Sequence, residues 1–157
     1  MEAYERYGRA LIRKASRILG NVEDARDVVQ SLFVDLYQRG DVPTDLPYLY
    51  RAVTNRCLTM LRDSSNRARL LEANDLSLEL PQRTACDTHV IGHDLLKKLV
   101  RELDEGECEV LTYRYLDDLT QEEIATLLGL SRKTIGKRLD RIRVVVGRIV
   151  GDAEVRS

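Results

Sequence analysis

The chain has 157 residues, 43% hydrophobic and 32% charged, enough for one domain or two small ones built from helices with solvated faces. Aromatics are 5% with no Trp and β-branched alternation is scarce, so an all-α fold is favoured. A net charge of −1 hides balances of +3 over residues 1–71, −4 over 72–94, −5 over 95–130 and +5 over 131–157, so phosphate can be bound locally without a strong overall field.

The first predicted helix runs from about Tyr4 to Leu19, with Leu11, Ile12, Ala15, Ile18 and Leu19 on one face. Gly20 and Asn21 break it and cap the next. The second, roughly 22–39, sets Ala25, Val28, Val29, Leu32, Phe33 and Leu36 at helical spacing. Glu23, Asp24 and Asp27 suit the positive end of its dipole, but Gln30 and Asp35 lie further along; this acidic helix repels nucleic acid and suits a partner protein. Residues 40–47, with Gly40, Pro43 and Pro47, form a loop. A third helix from Pro47 to about Leu71 buries Leu49, Val53, Cys57 and Met60 or Leu61. Its other face presents Arg51, Asn55, Arg56, Arg62, Arg67 and Arg69. Tyr48 and Tyr50 beside these cations suit single-stranded DNA, although Tyr in a helix is more often core.

From about Glu72 to His93 the periodicity fades into an acidic linker. A second helical unit begins at Asp94, with Leu95, Leu96, Leu99, Val100 and Leu103 on its apolar face, and another helix covers about Gly106 to Leu116. Residues 120–143 then read as a helix-turn-helix. Thr120 and Glu123 supply a capping box, Gly129 ends the first helix in the left-handed conformation, and Ser131 caps the second. Ile135, Leu139, Ile142 and Val146 point inward, leaving Arg132, Lys133, Gly136, Lys137, Asp140 and Arg141 outside, where Arg and Lys can meet guanine edges or phosphates. Asp140 can accept from cytosine or pair with Lys137. Gly136 reads equally as tolerance on a well-packed helix or as close approach to DNA.

Catalytic chemistry finds little to use. No nucleophile–base set, glycine-rich phosphate loop or pair of carboxylates in a concave setting can be assembled, and both histidines fall in the linker. Cys86, His89 and His93 have zinc-like spacing but supply only three ligands, so no metal or other cofactor is expected. Three widely spaced cysteines argue for a reducing compartment. No apolar run reaches membrane-spanning length and no signal-peptide core opens the chain, so a cytoplasmic protein without a membrane partner is expected.

Asp24-Ala25-Arg26-Asp27-Val28-Val29-Gln30-Ser31-Leu32-Phe33 resembles the signature helix of bacterial sigma-70-family sigma factors. Leu49-Tyr50-Arg51-Ala52-Val53-Thr54-Asn55-Arg56 is similar to the helix that follows it, and Glu123-Ile124-Ala125 through Leu128-Gly129-Leu130-Ser131 to the turn of the family's last domain. Two domains and a bare linker in a short chain resemble the extracytoplasmic-function group. The resemblance implies two helical domains, 1–71 and 94–157, joined by a flexible linker over 72–93. It implies that Asp24, Asp27, Gln30 and Phe33 dock on core RNA polymerase. The loop and third helix, with Asp41, Thr44, Tyr48, Arg51, Asn55 and Arg56, would capture and melt the promoter −10 element. Arg132, Lys133, Lys137, Arg138 and Arg141 would meet the −35 duplex, with Lys137 and Arg141 on bases and Arg138 on phosphate. Such factors are often held inactive by an anti-sigma factor. Departures from the family pattern are Arg26 for the usual acid, Tyr48 where many members carry Trp, and Gly136 where a long basic side chain is common. The competing readings are a dimeric helix-turn-helix repressor or activator acting without polymerase, which leaves the acidic helix idle, and an interaction protein that mimics a sigma factor.

Overall fold

The computed structural model describes residues 2–40, 43–73 and 92–156. Asp41, Cys86 and His89 lie outside the described residues. The described residues form seven α-helices and one π-helical turn, with no strand among them.

Helix α1 (Glu2–Leu19) buries Leu11, Ala15, Ile18 and Leu19. The chain then turns at Gly20, whose φ of 72° strains any residue with a Cβ. Asn21 Oδ1 accepts from the Glu23 N–H at 2.8 Å and the Asp24 N–H at 3.4 Å, satisfying donors that open α2 (Val22–Arg39). Helix α2 buries Ala25, Val28, Val29, Leu32 and Leu36, while Phe33 is half-buried. Helix α3 (Leu46–Ala73) buries Leu49, Val53, Cys57 and Leu61; of the two alternatives at its far end, Leu61 is inside and Met60 is exposed. Leu58 and Ser65 are also buried, so α3 is covered on more than the one side its main stripe predicts.

The second half starts with α4 (His93–Glu102). At α5 (Glu105–Leu111) a complete capping box forms: the Glu107 N–H donates to Asp104 Oδ1 at 2.7 Å and the Asp104 N–H to Glu107 Oε2 at 3.0 Å. The helix expected over Gly106–Leu116 does not stay α-helical. It widens into a π-helical turn over Thr112–Leu116, with the Asp117 N–H reaching back to the Thr112 carbonyl at 3.2 Å.

The helix-turn-helix comprises α6 (Gln121–Leu128) and α7 (Arg132–Arg156). Thr120 Oγ1 accepts from the Glu123 N–H at 3.1 Å, but the Glu123 carboxylate accepts from the Thr120 hydroxyl at 3.0 Å. The reciprocal capping box expected there is therefore only one-sided. Gly129 adopts φ 65° at the turn, and Ser131 Oγ accepts from the Thr134 N–H at 3.1 Å. Ile124 packs with Ile135, Leu139 and Ile142 in the core. The next inward position is Val145, with Val146 only half-buried, because a 3.6-residue period drifts off a strict four-residue step.

The buried residues of both halves join in one cluster. Helix α3 packs on α4 and α5, and α1 meets the π-helical turn. Each fully buried Leu or Ile in such a core contributes about 1.5–3 kcal/mol relative to exposure, so this packing sets where every surface side chain points.

Candidate nucleic-acid interface

Helix α7 carries the first cationic surface. Arg132, Lys133, Lys137 and Arg141 are exposed and Arg138 is half-buried. Arg132, Lys133 and Lys137 form no ion pair among the described residues. They cluster at the first turns of a helix, where free N–H groups and the dipole also favour phosphate. Arg141 Nε lies 3.7 Å from Glu107 Oε1, a distance that leaves it able to leave for another acceptor. Asp140 pairs with Arg143 at 2.7 Å, not with Lys137. Gly136 has a reason inside the fold. A Cβ there would sit 2.9 Å from Gln121 Nε2, and that amide donates to the Arg132 carbonyl at 2.7 Å, tying α6 to the first turn of α7.

The second cationic surface is α3 with the residues leading into it. Thr44 is exposed just before the helix and Tyr48 is half-buried, packed against the core. Asn55 is exposed. Arg56 pairs with Asp35 of α2 at 2.5 Å and donates to Ser31 Oγ at 3.4 Å, which gives Asp35 the purpose that helix-dipole reasoning did not. Arg51 Nε donates to Glu109 Oε1 at 3.0 Å, and this bond holds the guanidinium charge even more firmly than usual. Arg62 reaches the Val100 carbonyl at 3.3 Å and Glu105 at 3.6 Å.

Two concavities share Asn55. A groove of about 450 Å³ is lined by Asp27, Val28, Ser31, Asn55, Arg56 and Thr59. A cleft of about 490 Å³ between the halves has Arg51, Asn55, Arg62, Glu105 and Arg138 in its walls. The structure thus brings Asp27 beside Asn55 and Arg56, and Arg138 opposite Arg51. It keeps Lys133 and Lys137 away from both.

On α2, Asp27 and Gln30 are exposed and Asp24 is half-buried. The Phe33 ring meets Tyr4 edge-on at 5.2 Å and 89°. Beyond it Val34 and Tyr37 are 53% and 83% exposed, an apolar extension that amphipathic reading missed. Acidic and apolar groups on one face suit a protein partner rather than nucleic acid.

Sequence reading also missed the contact between Lys14 and Asp117. Lys14 Nζ lies 2.5 Å from Asp117 Oδ2, with the two side chains 2% and 4% exposed. The same ammonium sits 3.8 Å over the Tyr50 ring and 5.1 Å from that of Tyr113. Burial pulls the Lys14 pKa down and Asp117 opposes it; burial raises the Tyr50 and Tyr113 phenols. A signal was available, since Lys14 falls within the apolar stripe of Leu11, Ala15 and Ile18. No three potential metal ligands cluster among the described residues, and none of their helices is long and apolar enough to cross a membrane.

Comparison with known proteins gives this geometry its context. Residues 3–67 match the family description Sigma-70 region 2, and residues 93–144 match Sigma-70, region 4. The chain is 31% identical over 134 residues to an RNA polymerase sigma-E factor of Streptomyces avermitilis, covering 84% of this chain and 74% of that one. A sigma-E factor of Streptomyces coelicolor is 29% identical over 134 residues, covering 84% and 75%. The RNA polymerase sigma factor CnrH of Cupriavidus metallidurans is 30% identical over 159 residues, covering 92% and 83%. The chain therefore belongs to the sigma-70 family of RNA polymerase sigma factors, in its extracytoplasmic-function group, and is an initiation factor that directs RNA polymerase to promoters.

Proposed function

We propose that the labour of initiation is divided among three helices. Asp24, Asp27, Gln30 and Phe33 of α2 dock on core polymerase, with Val34 and Tyr37 extending the contact. Residues 1–71, through Asp41, Thr44, Tyr48, Arg51, Asn55 and Arg56, take up the separated strand of the −10 element. Residues 94–157 read the −35 duplex through α7, where Arg132 and Lys133 join Lys137 and Arg141, and Arg138 meets phosphate. Residues 72–93 are the tether. The observation that carries this reading is that α3 and α7 each present cations while α2, packed beside α3, presents an acidic, partly apolar face: two surfaces for DNA and one for protein. The protein acts in the cytoplasm without catalysing a reaction itself. An anti-sigma factor is included among its partners on family grounds, and co-purification from the native cell would identify it.

Reconstitution with sigma-free core polymerase and a promoter library tests the whole. A stable complex and discrete transcripts are expected; the absence of both would sink the proposal. Within that assay, Lys137→Ala or Arg141→Ala should relax −35 preference at one position, by about 1–3 kcal/mol per lost base contact. Arg138→Ala should instead weaken binding to all sequences and lower the salt slope by about one. Equal losses on specific and scrambled DNA for all three variants would refute the assignment of roles.

A further inference from the structure

Helix α1 carries a row of cations on the face turned away from the core. After Glu2 and Glu5 in its first turn, residues 6–19 hold Arg6, Arg9, Arg13, Lys14 and Arg17 and no acid. Lys14 is buried, whereas Arg6, Arg9, Arg13 and Arg17 are exposed. Steps of three, four and four residues keep these arginines within about 80° of the helix circumference. That arc lies opposite the face that buries Leu11, Ala15 and Ile18, so the stripe points away from α2 and α3, on which α1 packs. From Arg6 to Arg17 it runs for about 16 Å at about 1.5 Å per residue.

Little inside the protein answers these charges. Arg9 and Arg13 make no ion pair or side-chain hydrogen bond among the described residues. Arg6 lies 5.3 Å over the Tyr7 ring, a contact that uses none of its N–H donors. Arg17, at the far end, is shared with Asp117 at 3.6 Å and the Leu116 carbonyl at 3.3 Å. Cations three and four residues apart repel along a helix, and nothing on α1 itself relieves that cost. Nor does the surface suit a protein partner. Among the described residues of α1 no large apolar side chain is exposed, whereas protein interfaces are anchored by aromatic and apolar groups. Guanidinium forks do match phosphate oxygens, and one strand of a duplex presents about five phosphates over about 16 Å.

We propose that the outer face of α1 is a further DNA contact: Arg6, Arg9 and Arg13 hold the phosphodiester backbone of the promoter beside the −10 element, whatever its base sequence. The location rests on the assignment of α3 to that element. Lys14 joins the two helices, its ammonium 3.8 Å over the Tyr50 ring, so α1 runs beside the opening turns of α3 that carry Tyr48 and Arg51. Backbone phosphates carry no base information, so the contact adds affinity and no sequence preference. Its part in initiation is to steady the DNA that flanks the strand taken up by α3.

The test uses the full chain bound to core polymerase, on a promoter that the wild type selects and on a scrambled duplex. With Arg9→Ala and Arg13→Ala combined, the slope of log affinity against log salt should fall by about 1.5 to 2 on both DNAs. Between about 50 and about 200 mM salt, wild-type binding should then weaken about tenfold more than that of the variant. Arg9→Lys and Arg13→Lys combined should keep the wild-type slope, because counterion release follows charge. Affinity for core polymerase should be unchanged in both variants, and their Tm should hold or rise as the repulsion along α1 is relieved. An unchanged slope in the alanine variant would overturn the inference. So would weaker binding to core polymerase, which would make α1 a protein-docking surface, or a loss confined to the selected promoter, which would make it a reader of bases. Failure of the wild type to bind core polymerase or to select any promoter would instead strike the proposed function. Salt-dependent binding of the chain alone to the scrambled duplex would still decide whether α1 holds DNA.

Discussion

At the scale of single residues, Gly136 shows how a surface reading can miss an internal cause. On sequence grounds it was either a tolerated weakness in a helix or a gap left for the DNA backbone. The structure supplies a third reason, because the Gln121 amide passes close over it on the way to the Arg132 carbonyl. A methyl at 136 gains about 1 kcal/mol of helix propensity, but it displaces the flexible end of Gln121 and forfeits a hydrogen bond whose net value is also about 1 kcal/mol. Gly136→Ala should therefore be close to neutral in urea unfolding. In a Gln121→Ala background, where the amide is gone, the same substitution should stabilise by about 1 kcal/mol. Equal effects in both backgrounds, read from a double-mutant cycle, would show that Gln121 does not constrain position 136.

Among the elements, α4 carries a sensitivity to acid at its first residue. His93 lies against Gly20 at the end of α1, its Cδ2 3.2 Å from where a Cβ at Gly20 would be. Its Nε2 is buried with no hydrogen-bond partner. Burial is the chief cause lowering its pKa below the ordinary 6.5, helped by Lys97 and opposed by Asp94 and the Leu19 backbone. A group whose folded pKa is depressed is protonated first in the unfolded chain. Stability is then complete above 6.5 and lost as pH falls through the lower folded value. Unfolding free energy should drop between pH 6.5 and 5, and His93→Phe should flatten that part of the curve; an unchanged slope in the variant would remove His93 as the cause. The same junction marks the limit of what the sequence disclosed. Periodicity was enough to place α1, α2, α3, α6 and α7, and local stop signals at Gly20, Gly40 and Gly129 marked the ends of α1, α2 and α6. They missed the π-helical turn, whose widening is a matter of tertiary packing. They also missed the second buried side of α3, where Ser65 meets α4 and Leu58 lines the cleft against α5 rather than solvent. Of the candidate site, the cations of α7 were legible as an outer face. The engagement of Arg51 with Glu109 and of Arg56 with Asp35 was not, since nothing in the spacing says which acids lie opposite.

At the level of the whole molecule, packing and proton binding are linked. The Cys57 and Cys108 thiols are completely buried, and burial raises their pKa from the ordinary 9.0 to about 12 and about 11. The Tyr50 and Tyr113 phenols are raised as well, while Lys14 is lowered and works in the opposite direction. For a raised pKa the folded state keeps a proton that the unfolded chain gives up, so the stability it contributes is complete below pH 9 and drains away as pH climbs towards 11 or 12. The slope is about 1.4 kcal/mol per pH unit for each thiol that titrates fully in the unfolded chain. Urea unfolding free energy should therefore fall steadily from pH 9 to 10.5, and Cys57→Ala should remove one thiol's share of that slope. Cys108 behaves differently because its Sγ accepts from Arg62 across the cleft at 3.6 Å. Asp117→Ala strands the Lys14 charge where the two halves pack and should loosen that packing, so the variant's alkaline slope should be shallower and alkylation of Cys108 at pH 9 several-fold faster. Alkylation of Cys108 at the wild-type rate in this variant would mean that this thiol is sealed by α5 and α7 alone, and that the packing between the halves contributes nothing to its burial.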